Sequence, residues 1–514
     1  MHLYQKIQNN IQAFVARWTL DGFESDFIKH ASNFKVAPHV YLEEKFRPNI
    51  LVQMPADYFY LCLFFTALRK LNGFYEHSIG LWHQNIMSSP RGNILHKLFY
   101  FVRKIFNTLD RLKWQRLYKA IGLKKFETLE IGYIGFTPYR KEADEIWRSL
   151  KTKRDLLELV VNGTHCGDLI YDTYLRYRIQ PTVDLQDVYL RFLIEKAFQT
   201  QFKIREIFEK DNIKIFLTSY SSYIQHGIPV REASRAGIEI FTSGNLSQYF
   251  KKLTNGDCLH AASHWKYGEL FSNLPKLVQE EALLRSSMEL EARFKGGVDR
   301  ATLYMKESAY TQNKLKFPMG IEGVVFLHDF FDSPHCYRNM LFEDFWEWAN
   351  FTIKKIADNN LKIAIKPHPN QLPESAIVVK SLMEMYPQVI WIDPRTSNAQ
   401  IFSSGIKVGI SVYGTILHEL AYHGICPIAA GDHPHIDFNI ANTPISIVEY
   451  ENLLINYRNL SIRADTKDEV LRFYYMHNIY SKEDLMSKAN NFDYRIINQN
   501  ISKGLKEYLK FENS

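Results

Sequence analysis

Cysteine is scarce in this chain: five residues in 514, at positions 62, 166, 258, 336 and 426, with no two forming a C-x-x-C pair. That scatter argues against a cysteine zinc module and a disulfide framework, and it fits a reducing compartment. Long apolar runs are missing as well. The longest, residues 58–68, covers eleven positions, where a membrane-spanning helix needs about twenty. The opening Met1-His2-Leu3-Tyr4-Gln5-Lys6 lacks the basic-then-apolar layout of a signal peptide. The expectation is a soluble, cytoplasmic protein. Internal repeats and low-complexity tracts are absent, and no Asp-x-Asp stands in a loop setting suited to a metal-held diphosphate. What is present is an ordinary globular balance, 46% hydrophobic and 23% charged, with a high aromatic share of 14%.

A length of 514 residues exceeds what one core usually supports, so two domains are expected. Strand-like and helical segments alternate. Residues 49–54 read as a strand, 58–71 as a helix stopping at Asn72-Gly73, and 78–82 as a second strand. Further strands are expected at 128–136, 213–218 and 237–244, with a long helix over 184–210 and another starting near His226. This alternation implies a parallel sheet covered on both faces. Residues 275–316 are charged and helical, which suits a connector, and a second domain begins near Phe317 with a strand over 323–328.

The most informative stretch is residues 361–435. One strand ends in Lys366-Pro367-His368-Pro369-Asn370, and a later one runs into Ser411-Val412-Tyr413-Gly414-Thr415 and a helix that stops at Gly424. Strand ends that deliver imidazole and hydroxyl groups to one edge of a sheet form the crevice where open α/β folds bind nucleotides. Helix-start N–H groups, with the hydroxyls of Ser411 and Thr415, can donate to phosphate oxygens. His368 can donate a hydrogen bond or a proton to a departing phosphate. Taken singly, a Gly-Thr turn is ordinary capping chemistry and a His-Pro pair says little. Their order within a strand-helix-strand pattern carries the nucleotide reading.

The stretch from Val324 to about Tyr450, with the motifs IAIKPHPN and VGISVYGTILHELAYHGICPIAAGDHPH, resembles the C-terminal half of bacterial capsule and surface-polysaccharide biosynthesis proteins of the GT-B glycosyltransferase superfamily. Gly167-Asp168-Leu169-Ile170-Tyr171-Asp172-Thr173-Tyr174-Leu175-Arg176 resembles an element of their N-terminal half. The paired His-Pro and Ser/Thr elements are also similar to those of sialyl-, Kdo and nonulosonic acid transferases and CDP-glycerol glycerophosphotransferases. One departure is Ser-Val-Tyr-Gly-Thr in place of a tandem Ser-Ser, which leaves open which hydroxyl meets the phosphate.

The resemblance implies an α/β, GT-B fold: two Rossmann-like domains with parallel sheets facing a central cleft. The boundaries expected are 1–316 for an acceptor-side domain with helical insertions, 317–465 for the nucleotide-sugar domain, and 466–514 for helices packing back on the first domain. It implies a glycosyltransferase needing no metal and no cofactor, with a CMP- or CDP-linked donor, such as a CMP-activated 2-keto acid sugar, and a glycan or lipid-linked acceptor. Transfer of a polyol phosphate from a CDP donor and a non-catalytic assembly subunit are the alternatives.

Candidate groups follow from this chemistry. Lys366, His368, Ser411, Tyr413, Gly414 and Thr415 are expected at the donor, and Glu419 either accepts from a ribose hydroxyl or makes a surface salt bridge. The loop His328-Asp329-Phe330-Phe331-Asp332-Ser333-Pro334-His335 follows a strand end, so Asp329, Asp332 and His335 are expected to contact donor or acceptor. From the first domain, His165, Asp168 and Asp172 form a dense ionisable set. On one helix Asp168 and Asp172 share a face, one as base or nucleophile and the other orienting it, or both as a solvated face. His226 is a further base candidate, and Arg231, Arg235 and Arg338 suit an acidic sugar. Between residues 103 and 125 eight basic residues stand against Asp110, interleaved with apolar ones at helical spacing. Such a helix either lies on an anionic membrane or packs as a basic surface helix on its own domain. No nucleic-acid motif accompanies the charge.

Overall fold

Runs of β-branched and aromatic residues separated by helical segments build two doubly wound units in the computed structural model. It describes residues 12, 14–32, 48–71, 77–83, 94–129, 138–243, 250–297, 310, 315, 317–369 and 371–480. The first unit holds the described residues up to 170 together with 185–260, and the second holds 171–184 and 261–480.

The first unit contains β1 (Asn49–Gln53), β2 (Ser78–Trp82), β3 (Lys125–Thr128), the short pair β4 (Val160–Val161) and β5 (Thr164–His165), then β6 (Ile213–Thr218), β7 (Glu239–Ser243) and β8 (Phe250–Leu253). The main sheet runs β3-β2-β1-β6-β7-β8. All its neighbours are parallel except β7 and β8. Ile50, Leu51 and Val52 are fully buried, as expected of a parallel strand covered on both faces. The order grows from β1 toward β3 and then resumes on the other side with β6. The topological switch point therefore lies between β1 and β6. β4 and β5 form a hairpin through Asn162 (φ 46°) and Gly163 (φ 78°), the left-handed pair that an Asn-Gly turn adopts readily.

The second unit contains β9 (Gly323–Phe326), β10 (Ile363–Lys366), β11 (Val408–Ser411) and β12 (Cys426–Ala429), all parallel, in the order β10-β9-β11-β12. Its switch point lies between β9 and β11. One face packs on the helix Phe345–Asp358 through Trp348, Ile353 and Ile356, and the other buries Val324, Ala364 and Leu420. Gly424, at φ 75°, ends the helix Ile416–Tyr422, as its sequence position implies. The α/β class and two Rossmann-like units are thus present.

The unit boundaries differ from those expected at 317 and 466. The helix Lys276–Phe294, placed in a connector by its charge, buries Ala282 and Leu290 with Ala421, Val470 and Phe473 of the second unit. The helix Thr466–Tyr474 joins that cluster within the second unit. Residues 171–184 are held in the second unit by Asp344, which accepts from Tyr171 Oη at 2.6 Å and Thr182 Oγ1 at 2.5 Å. Most of the strand expected at 128–136 and the tail from 481 lie outside the described residues.

Candidate functional site

At the second unit's switch point, the carboxyl ends of β9, β10 and β11 place His328, His368 and Tyr413 together. The His328 ring lies 6.2 Å from His368 and 5.5 Å from Tyr413, and stacks on Phe345 at 4.4 Å. Burial pulls the His368 imidazole down to about 4, and the neighbouring His328 adds to the shift. His368 is therefore neutral near pH 7, so toward a phosphate it offers a hydrogen bond and not a proton. Thr415 sits half-buried at the start of the helix Ile416–Tyr422, and its side chain does not cap that helix.

A dyad that the sequence did not pair stands beside this crevice. His335 Nδ1 and Asp172 Oδ1 are 2.6 Å apart, although 163 residues separate them in the chain. A carboxylate oxygen only accepts, so Nδ1 carries the proton and Nε2 becomes the basic atom. Asp172 is buried, His335 is half-buried, and Tyr171 meets the imidazole edge-on at 5.2 Å. Tyr413 ties the dyad's loop to the switch point, its hydroxyl donating toward Ser333 O and Pro334 O, each at 3.3 Å.

Several expected donor contacts are instead absorbed by the fold. Ser411 is buried and donates to Phe326 O at 3.1 Å, which pins β11 to β9. Tyr413 is a buried wall against Tyr337, at 4.3 Å, and burial drives its phenol well above the ordinary range. Gly414 stands beside Ser411, where a Cβ would come within 3.4 Å of the Ser411 hydroxyl. Asp329 is a loop clamp: Oδ1 accepts from Phe331 N and Ser375 Oγ, and Oδ2 from Leu372 N.

Lys366 and Glu419 turn to the opposite face of the sheet. Lys366 follows Ala364 by two positions, shares its face, and donates to Asn398 Oδ1 at 2.8 Å. Burial lowers its pKa to about 8, with Glu419 pulling the other way. Glu419 is neither a ribose acceptor nor a surface salt bridge. It is buried, with Oε1 taking two bonds from Arg293, at 2.6 and 3.0 Å, and Oε2 one from Tyr310 at 2.6 Å.

Asp168 and Asp172 share the helix Gly167–Tyr174 but serve different units, so they do not form the expected base and orienting pair. Asp168 is gripped by Arg231, Nη1 to Oδ1 and Nη2 to Oδ2, both at 2.6 Å. A carboxylate held at both oxygens by a guanidinium is a poor base. His165 points Nε2 at Leu157 O, at 2.7 Å, and Nδ1 toward Asp168 at 3.4 Å. Arg231 is thus not available to an acidic sugar, and Arg235 bonds Asn162 O and Thr164 Oγ1. Arg338 is exposed and lies over the Trp265 ring at 4.6 Å.

The first unit has a cluster at its own switch point that sequence reading touched only through His226. Gln53, the last residue of β1, donates from Nε2 to His226 Nδ1 at 2.7 Å, and its Oε1 accepts from Thr218, Ser219 N and Ser219 Oγ. His83 follows β2 and meets the His226 ring at 4.4 Å, while Tyr220 stacks on His260 at 3.8 Å. Burial lowers His83 to about 4 and His260 to about 3, and takes His226 well below its ordinary value. The available signal was a polar residue at each of three consecutive strand ends.

Two parallel α/β units, each with imidazoles at its switch point, define the class of this chain. No family model matches it, and no curated protein does. Among solved structures it is similar to KpsC of Thermosulfurimonas dismutans, a beta Kdo 2,7 transferase, at 12% identity over 53% of this chain and 79% of that one, with a TM-score of 0.30. The beta Kdo 2,4 transferase KpsC of the same organism gives 11% identity, 53% and 85%, and 0.31. Anabaena Alr3699/HepE in complex with UDP gives 11%, 90% and 100%, and 0.26. At these scores the likenesses carry no argument, and the fold assignment rests on the two sheets themselves.

Proposed function

We propose that the chain is a GT-B glycosyltransferase of surface-glycan synthesis, taking a CMP-linked donor such as a 2-keto acid sugar. The observation that carries this reading is the His335–Asp172 dyad beside the neutral His368 at the carboxyl-end crevice of a parallel sheet. In this reading His335 Nε2 takes the proton of the acceptor hydroxyl as its oxygen bonds to the anomeric carbon. Asp172 stabilises the imidazolium that forms. The bond to the leaving phosphate breaks, and His368 N–H and the Thr415 hydroxyl donate to the phosphate oxygen. The base and the donor site then belong to one unit, in contrast to the arrangement expected from the sequence, in which the base reaches across from the other domain.

Melting curves with CMP, CDP, UDP and GDP, without added divalent metal, test the donor. CMP or CDP should raise the melting temperature, because a ligand that binds only the folded state stabilises it. His368→Ala should weaken that shift. Stabilisation by UDP or GDP alone would overturn the cytidine assignment.

The helix Ile94–Ala120 supports peripheral contact with an anionic membrane. Its second half packs on the segment before it, through Lys113 with Glu24 and Arg17 with Asp110. Its first half presents Ile94, Leu98, Phe101 and Ile105, 84%, 57%, 54% and 41% exposed, at i, i+4, i+7 and i+11 on one face. Lys97 and Lys104 flank that face on one side, and residues 94–105 contain no acid. Among the described residues no helix is long and apolar enough to cross a membrane. Vesicles with anionic lipid should sediment the protein at low salt and release it as salt rises. Equal recovery with neutral and anionic vesicles would remove the idea.

A further inference from the structure

Beyond β12 the chain forms a second imidazole cluster that the dyad and the phosphate crevice do not use. Gly431-Asp432-His433-Pro434-His435 leaves the carboxyl end of β12, joined to the 339–341 segment by Asp432 N to Asn339 O at 2.6 Å and Leu341 N to Ala430 O at 3.2 Å. His264 comes to the same place from the segment before the helix Tyr267–Ser272, its Nε2 lying 3.5 Å from Asp432 Oδ1. The His433 and His435 rings are 3.8 Å apart, and Tyr337 packs between this cluster and the switch point, 5.7 Å from His264 and 4.3 Å from Tyr413. All four polar side chains are more than nine-tenths buried. Among the described residues, His264 Nε2, Asp432 Oδ1, His433 Nδ1 and His435 Nε2 have no hydrogen-bond partner. Four such atoms at one edge of a sheet are costly unless a ligand meets them.

The partners of the ring nitrogens define what that ligand offers. His264 Nδ1 faces the Ala262 carbonyl at 2.9 Å, so it carries a proton, and Nε2 faces Asp432. His433 Nε2 faces Thr443 Oγ1 at 2.7 Å, and that hydroxyl is itself directed at Ala441 O. The ring Nε2 is therefore occupied by Thr443, and Nδ1 is the nitrogen left to a ligand. Burial lowers the His433 imidazole to about 3 and His435 well below its ordinary value, so both are neutral near pH 7. The Asp432 carboxylate and the unpartnered ring nitrogens call for groups that can both donate and accept, as hydroxyls do. The carboxylate repels a phosphate or a sugar carboxylate, and among the described residues no three His, Cys, Asp or Glu groups are arranged to hold a metal.

We propose that His264, Asp432, His433 and His435 form the pocket for a hydroxyl-bearing arm of the donor sugar, gripping a vicinal diol. The assignment rests on the nucleotide-sugar reading above and adds to it that the sugar is read through its hydroxyls, so that discrimination among donors lies in this loop. A 2-keto acid sugar would enter with its polyol side chain and keep its carboxylate outside. The same diol chemistry could come from the acceptor glycan, and the test separates the two.

Dissociation constants are measured by calorimetry for CMP, CDP and UDP beside CMP-Kdo, CMP-N-acetylneuraminate, CDP-glycerol and UDP-glucose, on the full chain and on Asp432→Asn and His433→Gln. For the donor that binds, the wild type should hold the nucleotide sugar at least about tenfold tighter than its bare nucleotide, the scale of about one well-made hydrogen bond to a charged group. Both variants should erase that gap while the bare nucleotide stays within about twofold. A gap kept in both variants, or an equal loss for sugar nucleotide and bare nucleotide, overturns the pocket. Unchanged donor affinity with a raised acceptor KM assigns the hydroxyls to the acceptor and also overturns it. A wild type that binds no nucleotide fails the nucleotide-sugar reading itself, a result visible before any variant is made. Should a variant not fold, Thr443→Val, which frees His433 Nε2 at nearly constant volume, should narrow the gap about threefold, and an unchanged gap counts against the pocket.

Discussion

His335→Gln is expected to lower kcat by at least about a hundredfold while leaving the donor dissociation constant within about twofold, the usual lower scale for losing a general base. The effect is large because the Asp172 carboxylate, 2.6 Å from Nδ1, both fixes the tautomer that makes Nε2 basic and stabilises the imidazolium once it forms. Glutamine retains a hydrogen-bonding terminus but cannot take the proton. Asp172→Asn should cost about tenfold or more, because the amide can still hold the ring but lacks the charge. Asp168→Asn is the control. Its carboxylate is committed to Arg231 at both oxygens, so the variant should lose stability and keep turnover within about threefold. Steady-state turnover with the donor found in the nucleotide panel, beside melting curves, separates these outcomes. Near-normal kcat in both His335→Gln and Asp172→Asn would remove the dyad from the chemistry. A well-folded but inactive Asp168→Asn would return the base to the first unit.

Glu419→Gln should destabilise the second unit by about 3–5 kcal/mol, the cost of removing one partner from a buried ion pair. Glu419 is the acid that meets Arg293 through two bonds and Tyr310 through one, and Lys366 is buried close enough for its charge to raise the lysine pKa. Without that carboxylate, two buried cations face an amide. At about 2–4 °C per kcal/mol for a unit of this size, the melting temperature should fall by roughly 10 °C. The double variant Arg293→Met with Glu419→Leu should recover part of the loss, because apolar pairs of similar volume often replace a buried ion pair without penalty. A melting temperature within about 2 °C of the wild type in Glu419→Gln would contradict this account.

Much of the second unit's scaffold was legible in the chain itself. The strand ends at Lys366 and Ser411, the helix after Thr415 and its stop at Gly424 follow from local periodicity and backbone preference, and each is found where the pattern puts it. The Asn162-Gly163 hairpin is equally readable from its turn chemistry, and it aims His165 toward the start of the helix Gly167–Tyr174. The helix Lys276–Phe294 misled for a physical reason. Its polar composition suits a solvated connector, but a few residues, Ala282, Leu290 and Arg293 among them, suffice to bury one side against Phe473 and Glu419.

Periodicity, turn residues and the His-Pro and Gly-Thr strand ends determined an α/β chain with a polar crevice at the edge of a parallel sheet. Those signals act over a few residues, through dihedral preferences and the alternation of buried and exposed positions, so they survive any tertiary arrangement. Which polar group is consumed by the fold and which faces a ligand was decided only in three dimensions. Asp168 and Asp172 are four residues apart on one helix, yet Arg231 neutralises the first and His335 takes up the second. Ser411 and Lys366 occupy strand ends that suit a phosphate, yet the Phe326 carbonyl and Asn398 reach them first. A hydrogen bond's partner can lie anywhere in the chain, and burial, which sets both its strength and the charge state of the imidazoles, exists only once the sheets have assembled.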